Sequence, residues 1–171
     1  MKKVICLFIL MIVCACVFMS CASILKGNKV DSDGHLVIPY GVISITKHQF
    51  GNKGVRSVSI PSSVTSIEEN AFAHNNLTSV IIPDSVKSIG KNAFFDNKLT
   101  SVTIGKKVTS IGDWAFASNR LTSVSIPSSV KSIGENAFVY NQLTFVNIPD
   151  SVTSIGDNAF AHNPQLGPVG K

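Results

Sequence analysis

Histidines, carboxylates and serines are the side chains of this sequence that could take part in catalysis or metal binding. Histidine and carboxylate groups act as acids, bases and metal ligands, and a serine beside a base acts as a nucleophile. The serines recur at a fixed spacing, as Ser66, Ser88, Ser110, Ser132 and Ser154, and no base accompanies them. Because a catalytic residue is needed once and not in every copy, this recurrence indicates a structural role.

The acidic residues Asp113, Glu135 and Asp157 show the same spacing, and each follows a glycine. If successive segments stack, these carboxylates form a column that suits either a weak cation site or the start of a helical turn. His74 and His162 also share a column but lie four segments apart, about 19 Å at a strand spacing of about 4.8 Å, which is too far to share a metal. We therefore predict no catalytic residue, no metal site and no cofactor.

The spacing reflects an internal repeat of 22 residues. Five copies start at Val55, Leu77, Leu99, Leu121 and Leu143, most of them with "LTSV". A fixed period of this length is typical of a solenoid in which similar units stack. We divide the domain, residues 33–171, into six coils and a partial seventh: 33–54, 55–76, 77–98, 99–120, 121–142, 143–164 and 165–171. The atypical first coil, with Gln49 and Lys53, is interpreted as a cap. Leu166 and Val169 are predicted to begin a seventh strand that Pro168 and the chain terminus cut short, and a truncated gene is the alternative.

Apolar columns predict the elements of each coil. Two positions with alternating spacing are aliphatic in every copy, as at Val80 and Ile82, which indicates a short strand with one buried face. A second apolar pair, as at Val86 and Ile89, indicates a brief extended segment before a glycine. We predict one helical turn after that glycine. The fold class is thus a mainly β, curved, leucine-rich-repeat-like solenoid with short parallel strands and a short helical turn per coil.

An Ala-Phe pair and an asparagine close each coil, as in "AFASN" at residues 115–119. The alanine lets backbones approach, and the phenylalanine fills the interior. The asparagine amide can bond to its own turn and to the neighbouring coil, so we predict an internal asparagine ladder.

The segment "LTSVIIPDSVKSIGKNAFFDN", residues 77–97, and its sister copies resemble the BspA-like leucine-rich repeats of bacterial surface proteins. Two columns differ from the family pattern: serine replaces the asparagine after the first strand, as at Ser63, and asparagine replaces a cysteine after Ala-Phe. The resemblance implies an exported solenoid that works in adhesion to host proteins, matrix or other cells and carries no catalytic site.

The first 20 residues form a separate segment that resembles a signal peptide. Lys2 and Lys3 precede an apolar run from Val4 to Ser20. All four cysteines, Cys6, Cys14, Cys16 and Cys21, lie at or before position 21, so no disulfide is expected in the repeats. The residues before Cys21 resemble a lipoprotein box, which makes Cys21 the candidate lipid anchor on a membrane. Cys16, ordinary cleavage after Ala22 and an uncleaved membrane anchor are the alternatives.

Charge argues against a nucleic-acid partner. Without Lys2 and Lys3, 13 basic residues stand against 10 acidic ones, a net +3, and the basic residues are scattered.

Residues 21–32 form a short polar segment, which we interpret as an N-terminal tether between the leader and the repeats.

Positions where the copies differ are the candidates for partner binding, because the shared positions hold the fold. Trp114 replaces an asparagine of four sister coils, and Phe95 and Tyr140 occupy variable positions in the coils on either side. These three rings are predicted to form an aromatic patch, or alternatively to pack over the turns. Phe145, on the strand side, is a separate candidate.

Two functions fit these features. The first is an exported cell-surface protein-interaction module, either lipid-anchored or secreted, that works in adhesion to an unknown protein or cell-surface ligand. The alternative is a structural or self-associating cell-envelope spacer. An enzyme is not expected.

Overall fold

The computed structural model describes residues 29–167, so the predicted leader, Cys21 and residues 22–28 lie outside the described residues. It contains twelve short strands in chain order: β1 (His35–Val37), β2 (Ser44–Ile45), β3 (Ser57–Ser59), β4 (Ser66–Ile67), β5 (Ser79–Ile81), β6 (Ser88–Ile89), β7 (Ser101–Thr103), β8 (Ser110–Ile111), β9 (Ser123–Ser125), β10 (Ser132–Ile133), β11 (Phe145–Asn147) and β12 (Ser154–Ile155). Between residues 29 and 167 no helix has the length and apolar character needed to cross a membrane.

Each coil contributes one strand to each of two sides of the solenoid. The odd-numbered strands pair in parallel as β1 with β3, β5 with β7, and β9 with β11, with Leu36 opposite Val58 in the first pair. The even-numbered strands form one continuous parallel sheet of six strands. Every pair joins residues one repeat apart, which confirms the predicted stack of 22-residue coils.

The predicted helical turn after the glycine is wrong. The third side of each coil is instead a pair of tight turns, in which Ala71 N donates to Glu68 O and Ala73 N donates to Asn70 O, both at 3.3 Å. Asn70 between them has a φ of 54°, a left-handed conformation that a right-handed helix cannot contain. The other amides point along the solenoid: Phe72 N donates to Ala93 O of the next coil at 2.8 Å. The backbone hydrogen bonds therefore join coils instead of closing a helix.

The core is a column of phenylalanine rings along the solenoid axis. Six rings, one from each coil, stack nearly parallel with centroids 5.2–5.5 Å apart: Phe50, Phe72, Phe94, Phe116, Phe138 and Phe160. The four central rings are completely buried, as are the alanines that precede them in coils two to five. This confirms the interpretation of the Ala-Phe pair as a packing unit.

The asparagine ladder is also confirmed. In the fourth coil, Asn119 Nδ2 donates to the carbonyls of Phe116 at 3.1 Å and of Phe94, in the preceding coil, at 3.0 Å. Its Oδ1 accepts a hydrogen bond from Leu99 N at 3.0 Å. The same bonds recur at Asn75, Asn97, Asn141 and Asn163, and all five side chains are buried.

The first coil is covered by a segment that precedes the repeats. Val30 forms an antiparallel bridge with Leu36, and Asp31 Oδ1 accepts hydrogen bonds from the amides of Asp33 and His35. Within the first coil, the Gln49 side chain accepts a hydrogen bond from Thr46 N at 2.8 Å, so Gln49 ties its own turn. Residues 29–32, at the end of the predicted tether, thus contact the solenoid.

We expect Asn119→Ala to lower the free energy of unfolding by about 3 kcal/mol, because it leaves the buried Leu99 amide and the Phe94 and Phe116 carbonyls without this partner. Asn119→Asp should be at least as harmful, since a carboxylate accepts from Leu99 N but cannot donate to the carbonyls. Asn147→Ala, on the exposed strand face, is the control and should stay within about 0.5 kcal/mol of the wild type. Denaturant unfolding of the three variants tests this; a stable Asn119→Asp would refute the donor role.

Candidate functional site

The turns on the third side of the solenoid carry most of the variation between coils. We define the turn face as residues 47–52, 69–74, 91–96, 113–118, 135–140 and 157–162. The phenylalanine at the fourth position of each segment points into the core, whereas the second, fifth and sixth positions differ between copies. This face therefore combines a fixed backbone with changeable side chains.

The backbone requires a left-handed conformation at two positions of every turn segment. The second and sixth positions have φ values of 52–58° in all six coils: His48, Asn70, Asn92, Trp114, Asn136 and Asn158, then Asn52, His74, Asp96, Ser118, Tyr140 and His162. Asparagine and aspartate tolerate this region, whereas a bulky residue there is a genuine outlier. Trp114 and Tyr140 are thus the two strained positions of the turn face.

Trp114 lies in a group of four side chains that we call the aromatic cluster: His74, Phe95, Asp96 and Trp114. The ring centroids of Phe95 and Trp114 are 6.3 Å apart and nearly perpendicular, and those of His74 and Phe95 are 5.2 Å apart in the same arrangement. His74 Nδ1 lies 2.8 Å from Asp96 Oδ2. The predicted contact between Phe95 and Trp114 is therefore present, with both rings half-buried.

Tyr140 does not join this cluster. Its ring stacks on His162, with centroids 4.5 Å apart and an interplanar angle of 13°, and within residues 29–167 it makes no ring contact with Trp114. The predicted patch of three rings is thus two separate groups on one face. Tyr140 is 52% exposed.

Phe145 lies on a different surface, the outward face of β11. It is 62% exposed and pairs in register with Ser123 of β9. The rest of this strand face consists largely of serine and threonine, with Ile81 and Val37 as further exposed apolar side chains. Phe145 and the aromatic cluster therefore lie on different surfaces and do not form one site.

The acidic column lines a shallow groove of about 550 Å³. Its walls include Ser110, Ser132 and Ser154 on one side and Asp113, Glu135 and Asp157 on the other. Asp113 Oδ1 accepts a hydrogen bond from Glu135 N at 3.0 Å, so at least one carboxylate ties two coils together. Within the described part of the chain no three His, Cys, Asp or Glu side chains are placed to hold a metal ion.

The floor of the groove is glycine because neighbouring coils approach closely there. A Cβ atom on Gly134 would lie 2.5 Å from Asp113 N of the preceding coil. The groove is thus a consequence of coil stacking. The serine column on its wall also links coils where its hydroxyls pair, as Ser66 and Ser44 do at 2.9 Å.

One carboxylate of the turn face has a perturbed pKa. Lys47 Nζ lies 2.8 Å from Glu69 Oε2, and this hydrogen bond lowers the pKa of the Glu69 carboxyl. A carboxyl whose pKa is lowered by folding stabilises the protein above its unfolded pKa, and that contribution disappears as the pH falls. The pair is exposed, so it adds little stability.

Sequence reasoning considered His74 and His162 only as metal ligands and missed their roles as ring partners. For His162 the signal was present, because it occupies the same column as Tyr140 in the next coil. Aromatic side chains in this column of one coil meet the following or preceding coil, as Tyr140 meets His162.

Comparisons with known proteins agree with this architecture. Residues 43–167 match the sequence model of the BspA type leucine rich repeat region in six copies. The crystal structure of a leucine-rich repeat protein from Eubacterium ventriosum is similar to this chain, with 29% identity and a TM-score of 0.71 over 80% of this chain and 39% of that one. The pneumococcal vaccine antigen PcpA is similar with 26% identity and a TM-score of 0.63 over 69% of this chain and 31% of that one. No curated protein matches the sequence.

We predict that Trp114→Gly is more stable than Trp114→Ala by about 1 kcal/mol, because glycine adopts a φ of 57° without steric cost. Both variants lose the same ring, so the difference in their stability reports the cost of the backbone conformation alone. At an ordinary strand position the order is reversed, and Ser101→Gly should be less stable than Ser101→Ala. Thermal or denaturant unfolding of the four variants measures both differences; equal stability at position 114 would show that Trp114 is not strained.

Proposed function

This chain belongs to the BspA type leucine-rich repeat family, and we propose from that premise that it is an exported, cell-surface protein-interaction module that works in adhesion. It covers only 39% and 31% of the two similar solved structures, so the proposal concerns the repeats in hand. Binding, not catalysis, is the function that this solenoid supports best.

The observation that carries the proposal is the strained backbone at Trp114. A left-handed conformation costs a bulky residue of the order of 1–3 kcal/mol, and four sister coils place asparagine at the same position. Trp114 adds no ring to the buried phenylalanine column, so core packing does not explain it. Trp114 is a large aromatic side chain at a strained position on a variable face. Such a side chain suits a binding surface, because tryptophan and tyrosine contribute much of the binding energy at protein interfaces.

Export and anchoring are supported by the first 21 residues of the sequence. Lys2, Lys3 and the apolar run from Val4 to Ser20 have the form of a signal peptide, and Cys21 follows as the proposed site of lipid attachment. A lipid at this cysteine would hold the solenoid at a membrane surface through the polar residues that follow it.

Lipid attachment predicts that the full chain, expressed in bacteria with a labelled fatty acid, incorporates the label. Cys21→Ala should abolish incorporation, because the acylated sulfur is removed, while Cys16→Ala should leave it unchanged. Gel analysis of labelled protein, with blotting to show equal expression, measures this. Equal labelling of the wild type and Cys21→Ala would refute the assignment of Cys21.

Adhesion predicts that the solenoid binds whole cells or immobilised extracellular-matrix proteins, and that Trp114→Asn weakens this binding about tenfold or more without loss of stability. Asparagine is the matched substitution, since sister coils carry it in the same conformation. Phe145→Ala, on the strand face, shows whether binding uses that face instead of the turn face. Surface binding assays and analytical ultracentrifugation test the proposal: absence of binding together with concentration-dependent assembly would favour the self-associating spacer instead.

A further inference from the structure

Charge is distributed unevenly around the solenoid. The whole chain has a formal charge of +5, and +3 remains without Lys2 and Lys3. On the turn face of the last four coils, residues 91–96, 113–118, 135–140 and 157–162, there are four carboxylates, Asp96, Asp113, Glu135 and Asp157, and one lysine, Lys91. The face that carries the aromatic cluster is therefore acidic on a basic protein.

The aromatic cluster exposes part of its ring surface on this acidic face. In the core, each central phenylalanine is stacked on both sides at 5.2–5.5 Å. Trp114 and Phe95 instead meet at an angle of 80° and are only half-buried, so part of each ring is exposed to solvent. Tryptophan is the ring that binds cations most strongly, through the negative potential above its face.

Carboxylates occur in the coil of Trp114 and in the coils before and after it. Asp113 precedes it in the chain, and Trp114 N donates to Glu135 O of the next coil at 2.9 Å. The side chains of Asp113 and Glu135 line the groove of about 550 Å³ described above. In the preceding coil, Asp96 adjoins Phe95 and holds His74 at 2.8 Å.

We infer that the aromatic cluster binds an arginine or lysine side chain from an exposed cationic segment of the partner protein. The cation lies over the exposed part of the Trp114 indole, and the carboxylates of the turn face attract it through their charge. This inference rests on the proposed binding function and adds the chemistry of the partner. A neutral glycan is disfavoured, because the excess of carboxylates contributes nothing to its selection, whereas it attracts a cationic segment.

The probe is a synthetic peptide with several arginines separated by glycine, titrated against the full chain. The control is the same peptide with citrulline, which keeps the shape of arginine without its charge. Trp114 is the only tryptophan of the chain, so its fluorescence reports directly on occupancy. We expect the arginine peptide to change the emission, the citrulline peptide to bind at least fivefold more weakly, and added salt to weaken the arginine peptide further. Equal binding of the two peptides, or binding of neutral oligosaccharides alone, would overturn the inference.

Variants assign the contact to the cluster. Calorimetric titration with the arginine peptide should show at least fivefold weaker binding for Trp114→Asn and weaker binding for Glu135→Gln, which removes the charge and keeps the shape. Phe145→Ala should bind like the wild type. Unchanged affinity in Trp114→Asn, with its folding verified, would refute this site.

The same variants separate this inference from the broader proposal. If the wild type adheres to cells or matrix and Trp114→Asn adheres equally well, the cationic contact is wrong and the binding function stands through another surface. If the wild type adheres to nothing, the proposed function fails, whatever the peptide does.

Discussion

The buried asparagine amide is the interaction on which the rest of this solenoid depends. Each coil is too short to enclose its own apolar side chains, so it is stable only against its neighbours. Where the chain leaves the phenylalanine, the carbonyls of two successive coils face inward and need a donor; Asn119 Nδ2 serves both, at 3.0 and 3.1 Å. Its Oδ1 satisfies the Leu99 amide at the start of its own coil, just before β7. One side chain thus fixes both the spacing of two coils and the entry into a strand.

That constraint explains why some columns carry the same residue in nearly every coil whereas others vary. With the amide ladder and the phenylalanine column holding every layer, the turn backbone keeps the same left-handed φ values whichever residue occupies them: Trp114 at 57° and Asn136 at 55° have nearly the same backbone. A strained side chain is tolerated because the neighbouring coils determine the backbone on both sides. The energetic cost is local, whereas the stabilising bonds are spread over all coils.

The repeat made much of the fold predictable, because a residue needed in every layer appears in every copy. The strand columns, the stacked rings such as Phe116 and the role of Asn119 follow from that logic. The helical turn could not be excluded in the same way. A short segment such as "GDWAFA" is compatible with a helix until its amides are known to bond to the next coil, and that choice depends on the distance between coils. The site was predictable only in part for a related reason: Phe95 and Trp114 stood out as departures, but His74, which contacts Phe95 and Asp96, belongs to another coil.

The separation of Tyr140 from Trp114 divides the exposed aromatic side chains of the turn face into two groups. Both rings project from left-handed positions, but from different columns, the sixth and the second of their turn segments. Rings in the same column meet along the axis, as Tyr140 and His162 do at 4.5 Å, whereas Trp114 meets Phe95 of the preceding coil across columns. The ring contacts of the turn face thus join successive coils, either within one column or between columns. A substitution in one coil changes the contacts of that side chain and leaves the backbone of the adjacent coils in place, because the asparagine ladder sets that backbone.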